Sequence, residues 1–104
     1  MIYEERIYTI VTGRMAEYTK NYEELGLPVQ RKVLGTLVGF FNTEIGGLNK
    51  VVHIWGYDSL DDRLEKREKL ANHPDWPRYL ETNLKLIVEQ ENRVLIPASF
   101  SPLK

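Results

Sequence analysis

Residues 37–58, LVGFFNTEIGGLNKVVHIWGYD, decide how this chain folds. Two apolar-rich runs, residues 37–45 and 50–57, flank Gly46-Gly47-Leu48-Asn49. That is the form of two antiparallel strands joined by a tight glycine-containing loop. Polar or amphipathic groups sit where a plain hairpin would carry only Val and Ile: Glu44, His53, Trp55 and Tyr57. Because strand side chains alternate, Val52 and Ile54 point one way while His53, Trp55 and Tyr57 point the other.

Working outward, residues 2–11 form a first strand, with Tyr3, Ile7, Tyr8 and Ile10 supplying aromatic and β-branched character. Thr12-Gly13 breaks it. Met15, Tyr18, Tyr22 and Leu25 recur at helical steps, and Gly26 falls where a helix-ending glycine belongs. Pro28 then opens a short helical turn that Gly35 closes. Beyond the hairpin, Ser59 is placed to cap a helix with Asp62 three residues on. Leu60, Leu64 and Leu70-Ala71 give that helix an expected apolar edge, and Asp62/Lys66 and Glu65/Lys69 are i,i+4 pairs on its wet side. From Trp76 through Tyr79-Leu80 and Asn83-Leu84 to Ile87-Val88 runs a further helical pattern. Residues 90–97 read as the last strand, closed by Pro97.

The order β, α, β, β, α(α), β gives an α+β fold: a ferredoxin-like βαββαβ antiparallel sheet with helices on one face. Both faces of that sheet carry large apolar groups, so the uncovered one requires a cover. A second copy across a two-fold axis is the simplest cover, which makes the expected assembly a homodimer.

Residues 1–104 make one domain, near the usual single-core size. An apolar content of 42% is too high for disorder. The net charge of −1, without a basic stripe, excludes a nucleic-acid footprint. With no cysteine there is no disulfide scaffold, thiolate zinc site or thiol nucleophile. The opening MIYEERIYTI lacks the apolar core of a signal peptide, and no run approaches the ~18–20 residues of a membrane span. The expectation is a cytoplasmic protein with neither metal nor cofactor.

The string LVGFFNTEIGGLNKVVHIWGYDSLDDR, followed by HPDW and QENRVLIPASFSP, resembles the NIPSNAP family, and the opening YEERIYTI with Gly13 resembles its first strand and turn. The likeness covers nearly the whole chain and is weakest around residues 27–34. It implies a dimeric α+β barrel, in which two ferredoxin-like units pack sheet to sheet. Eukaryotic members are associated with mitochondria and vesicle-related processes. The wider superfamily holds cofactor-independent monooxygenases, haem-handling enzymes and proteins without known catalysis. A shared fold does not transfer a reaction.

The candidate chemistry centres on His53, a group able to act as general base. Across the hairpin, Glu44 is expected near it, where a carboxylate would orient the imidazole. The alternative is a histidine hydrogen-bonded within the core. Glu4, Arg6 and Tyr8 share one face of the first strand; Arg6 and Tyr8 could anchor a polar ligand group, or Glu4 and Arg6 could neutralise each other. Phe40, Trp55 and Tyr57 are the expected wall for an apolar ligand. The mixed run Asp61–Lys69 reads as a solvated face, and no dinucleotide, P-loop or serine-hydrolase motif is present. Two functions follow: a homodimeric barrel binding a small apolar or aromatic molecule, open to cofactor-free chemistry, or a non-catalytic interaction module acting through its dimer surface.

Overall fold

In the computed structural model, which describes residues 1–104, alternation along the two inner strands fixes the faces of the sheet. Along β1 (Ile2–Ile10), Glu4, Arg6, Tyr8 and Ile10 are buried on one side. Along β3 (Lys50–Tyr57), Val51, His53, Trp55 and Tyr57 are buried on the same side. With β2 (Thr36–Asn42) and β4 (Ile87–Leu95) these form an antiparallel sheet in the order β2-β3-β1-β4, so the charged strand β1 is central.

The helices all lie over that side. Tyr18 of α1 (Met15–Asn21) and Tyr79 of α4 (Trp76–Asn83) pack with Tyr8, Ile10 and Val51. Val29 of α2 (Leu27–Val33) and Leu70 of α3 (Leu60–Ala71) pack with Trp55 and Tyr57. The ferredoxin-like arrangement expected from the hairpin is the one observed.

Three local expectations are corrected. Gly26 does not end a helix: its φ of −86° is helical, and a π-helical turn, Tyr22–Gly26, carries α1 into α2. The glycine is required because the Tyr79 ring lies where a side chain would be; an added Cβ would sit 2.8 Å from Tyr79 Cε1. Next, α4 stops at Asn83, whose buried amide donates to Tyr18 O at 3.0 Å, and Ile87-Val88 open β4 instead of extending the helix. Two β-branched residues gain more in a strand beside β1 than in a further helical turn.

The third concerns α3. Ser59 Oγ accepts from Asp62 N at 3.0 Å, as the capping pattern requires, and the Asp62–Lys66 and Glu65–Lys69 pairs form. The helix nevertheless splits its expected apolar edge: Leu60 and Leu64 are 62% and 57% exposed, while Leu70 is buried. Arg63, Arg67 and Leu70, spaced four and three apart, form the stripe that faces the sheet.

Candidate functional site

Sheet register assembles the site rung by rung. Phe40, His53, Arg6 and Asn92 stand side by side across the four strands. The neighbouring rungs carry Leu37, Trp55, Glu4 and Val94 on one side and Asn42, Val51, Tyr8 and Gln90 on the other. Between this sheet face and the helices lies a cavity of about 230 Å³. Its polar side is built from Arg6, Tyr8, His53 and Arg67, its apolar side from Trp76, Leu80, Leu84 and Ile87. Tyr18, Tyr22 and Tyr79 form an aromatic rim, with Tyr22 Oη donating to Gln30 Oε1 at 2.5 Å.

Glu4 is the organiser of the charges. Its Oε2 accepts from Arg63 at 2.7 Å, from Arg6 at 3.1 Å and from Asn92 at 3.1 Å. Burial works to raise this carboxyl, but the Arg63 hydrogen bond and the charges of Arg6, Arg63 and Arg67 outweigh it and hold it below its ordinary value. Arg6 Nε donates to Tyr8 Oη at 2.7 Å, so the guanidinium is clamped between a carboxylate and a phenol.

His53 is 1% exposed. Its Nδ1 accepts from Trp55 Nε1 at 2.9 Å. A nitrogen that accepts carries no proton, so the ring proton resides on Nε2. Burial, reinforced by the Arg6 charge, pushes the imidazole down to about 3. His53 is therefore neutral and presents an N–H at Nε2, and that atom has no partner. This geometry offers a hydrogen-bond donor; the lone pair a general base needs is already taken by Trp55.

The sequence-derived candidates separate accordingly. Arg6, Tyr8 and His53 meet at the cavity. Phe40 lies beside it, stacked on Tyr22 at 4.8 Å and 5.2 Å from the His53 ring. Trp55 acts on the site through its bond to His53, and Tyr57 is buried in the neighbouring core under α2 and α3. The expected Glu44–His53 pair does not form. The β2–β3 register places Phe40 opposite His53, β2 ends at Asn42, and Glu44 is exposed in the connecting loop. Trp76 and Tyr79, which with Trp55 and Tyr57 make an aromatic set large enough to line a pocket, do line the cavity. Arg67, Tyr18 and Tyr22 were not among the candidates; the i,i+4 spacing of Tyr18 and Tyr22 marks one helical stripe, and Arg67 shares a stripe with Leu70.

No group of His, Asp or Glu is arranged to hold a metal ion. No helix is long and apolar enough to cross a membrane.

Comparison with known proteins places this arrangement. The NIPSNAP family model matches residues 3–102. The NipSnap protein of Drosophila melanogaster is 39% identical over 101 residues, covering 97% of this chain and 36% of the fly protein. Human NipSnap homolog 3A is 37% identical, covering 93% of this chain and 40% of the human protein. The chain thus spans about two-fifths or less of the length of these relatives. Among solved structures, a NIPSNAP family protein from Agrobacterium tumefaciens is 50% identical with a TM-score of 0.97, covering 99% of this chain and 98% of that one. A candidate antibiotic biosynthesis monooxygenase from Nitrosomonas europaea, 9% identical, has a TM-score of 0.68 over 96% of this chain and all of that one, a likeness of fold alone. With the family model matched almost end to end, and a half-identical relative superposing on the whole sheet and its helices, the chain belongs to the NIPSNAP family.

Proposed function

We propose that the protein is a homodimeric barrel whose subunits each bind a small, largely apolar or aromatic molecule in the cavity between sheet and helices. The observation that carries this reading is the buried, unpartnered His53 Nε2–H at the cavity wall. A buried donor left without an acceptor is costly, and natural cores rarely retain one without a use. A carbonyl or phenolic oxygen of the ligand would accept that proton, while Trp76, Leu80, Leu84 and Ile87 take its apolar body. Any cofactor-free chemistry would then use His53 to polarise that oxygen and the fixed Arg6–Tyr8 pair to orient it.

The dimer is supported by the uncovered sheet face. Phe41 of β2 is 56% exposed there, folded over Gly39, beside half-buried Val52, Ile54 and Ile7. A cysteine-free chain fits a reducing compartment, and we place its work in the cytoplasm. The second reading, an interaction module, draws on the exposed apolar run Val94-Leu95-Ile96 and on Phe100, which is 87% exposed.

Native mass spectrometry of protein purified from its own source tests both parts. The expected result is a dimer retaining one small molecule per subunit. His53→Asn, whose amide oxygen still accepts from Trp55, should keep the dimer and lose the molecule. An empty dimer from the source organism would favour the interaction module; loss of dimer and molecule together would make His53 structural.

A further inference from the structure

Three arginines converge on the buried rungs of the sheet, and one carboxylate answers them. Arg6 and Arg63 both bond Glu4 Oε2. Arg67, one turn beyond Arg63 on α3, makes no hydrogen bond or ion pair within the chain, yet it lines the cavity. No Asp or Glu lines that cavity with it. The cluster therefore holds two positive charges more than its single carboxylate neutralises. The helix accepts this arrangement while turning Leu60 and Leu64 to solvent, the reverse of what core packing alone selects.

The cost of the arrangement is visible at Arg67 itself. Burial, and then the neighbouring Arg6 charge, pull its guanidinium below its ordinary value. A half-buried cation without a counter-ion beside a buried N–H without an acceptor leaves two sets of donors around one space. Both deficits are met by the same thing, a negatively charged acceptor.

Building on the ligand-binding reading above, we infer that the cavity takes a small carboxylic acid, its carboxylate forked by Arg67 with His53 Nε2–H as the second donor. A guanidinium matches a planar carboxylate through two parallel N–H bonds. The apolar wall of Trp76, Leu80, Leu84 and Ile87 then holds an aromatic or branched body. A cavity of about 230 Å³ is roughly seven or eight waters at ~30 Å³ each, which is room for a single-ring acid. A phosphate is the poorer match: its second charge asks for another cation, and Arg67 is the one arginine lining this cavity that no carboxylate of the chain engages.

Paired probes test this on the full chain. Phenylacetate, phenylacetamide and phenyl phosphate, and benzoate with benzamide, are titrated into ¹⁵N-labelled protein and into Arg67→Gln and Arg67→Lys. Each acid should bind at least tenfold tighter than its amide, Arg67→Gln should erase that preference, and Arg67→Lys should keep part of it. Without any ligand, Arg67→Gln should raise the melting temperature, because it removes an uncompensated cation; an arginine with a structural role would lower it. Acid and amide binding equally would overturn the carboxylate while leaving the cavity a ligand site. Preference for phenyl phosphate, a preference that survives Arg67→Gln, or a lowered melting temperature in that variant would also overturn it. No shifts with any probe at millimolar concentration would overturn the carboxylate and the ligand-binding reading together.

Discussion

Acidification isolates His53. Its imidazole is held neutral at a folded value of about 3, against an ordinary value of 6.5. Between those two values the unfolded chain binds a proton that the folded chain refuses, so stability rises with pH across the window. The contribution is complete above about pH 6.5 and is lost as the pH falls through the window toward 3. Each unit is worth about 1.4 kcal/mol, so a descent to about pH 4.5 removes roughly 2–3 kcal/mol from a domain whose total stability is of order 5–15 kcal/mol. The groups facing the ring explain why it cannot simply accept the proton: Arg6 and Tyr8 on β1, Tyr22 in the π-helical turn and Arg67 on α3 offer Glu4 as the sole carboxylate. Glu4 itself does not interfere, because its folded value is depressed and its contribution is lost only below the ordinary carboxylate value of 4.5. The assay is urea unfolding followed by tryptophan fluorescence at fixed protomer concentration, for the native sequence and for His53→Asn. The native protein should lose about 2 kcal/mol more than the variant between about pH 6.5 and 4.5. Parallel profiles, or a native protein that gains stability on acidification, would refute the neutral, Nε2-protonated imidazole.

Glu4→Gln leaves Arg6 and Arg63 without their shared carboxylate and should cost about 3–5 kcal/mol in urea unfolding near neutral pH. Gly26→Ala drives a methyl to within 2.8 Å of the Tyr79 ring and 3.0 Å of Tyr22 Cδ1, for an expected loss of about 1–3 kcal/mol by thermal melting. Ser59→Ala removes the acceptor for Asp62 N and should lower stability by about 1 kcal/mol. Phe41→Lys places a charge on the uncovered sheet face that the proposed dimer would bury; sedimentation should show the native chain as dimer and the variant as monomer, with the circular dichroism of the native fold retained.

The fold was legible because strands report their faces in a binary way. Once residues 50–57 are a strand, parity alone puts His53, Trp55 and Tyr57 together, and the helices confirm that side as the interior. Boundaries were harder, for reasons particular to each. Gly26 has the sequence signature of a helix end, but the constraint on it is a tyrosine ring 53 residues later in the chain, which no local pattern reveals. Asn83 ends α4 through bonds to Tyr18 and Tyr79, another long-range cause. The Glu44–His53 pairing failed on the count of loop residues: with β2 ending at Asn42, seven residues separate the strands, and Phe40 takes the place opposite His53.

Helix-borne site residues follow a different logic. On a strand a charged residue faces in or out, and Glu4, Arg6 and Tyr8 announced themselves by alternating into a central position. On a helix, each residue turns the face by about 100°, so a mixed run such as Asp61–Lys69 contains an inward stripe whichever way the helix is rolled. Leucines ordinarily decide the roll, and Leu60 and Leu64 vote for one orientation while Leu70 votes for another. Packing followed Leu70, which is 1% exposed, and brought Arg67 and Arg63 in with it. The Arg63–Glu4 bond shows what tips the balance: a buried carboxylate on β1 needs cations, and beside Arg6 of its own strand α3 supplies one. Two exposed leucines are a small loss beside an unanswered buried carboxylate. The charged face of β1, the roll of α3 and the free guanidinium at the cavity are therefore one choice, set by Glu4, rather than three independent features.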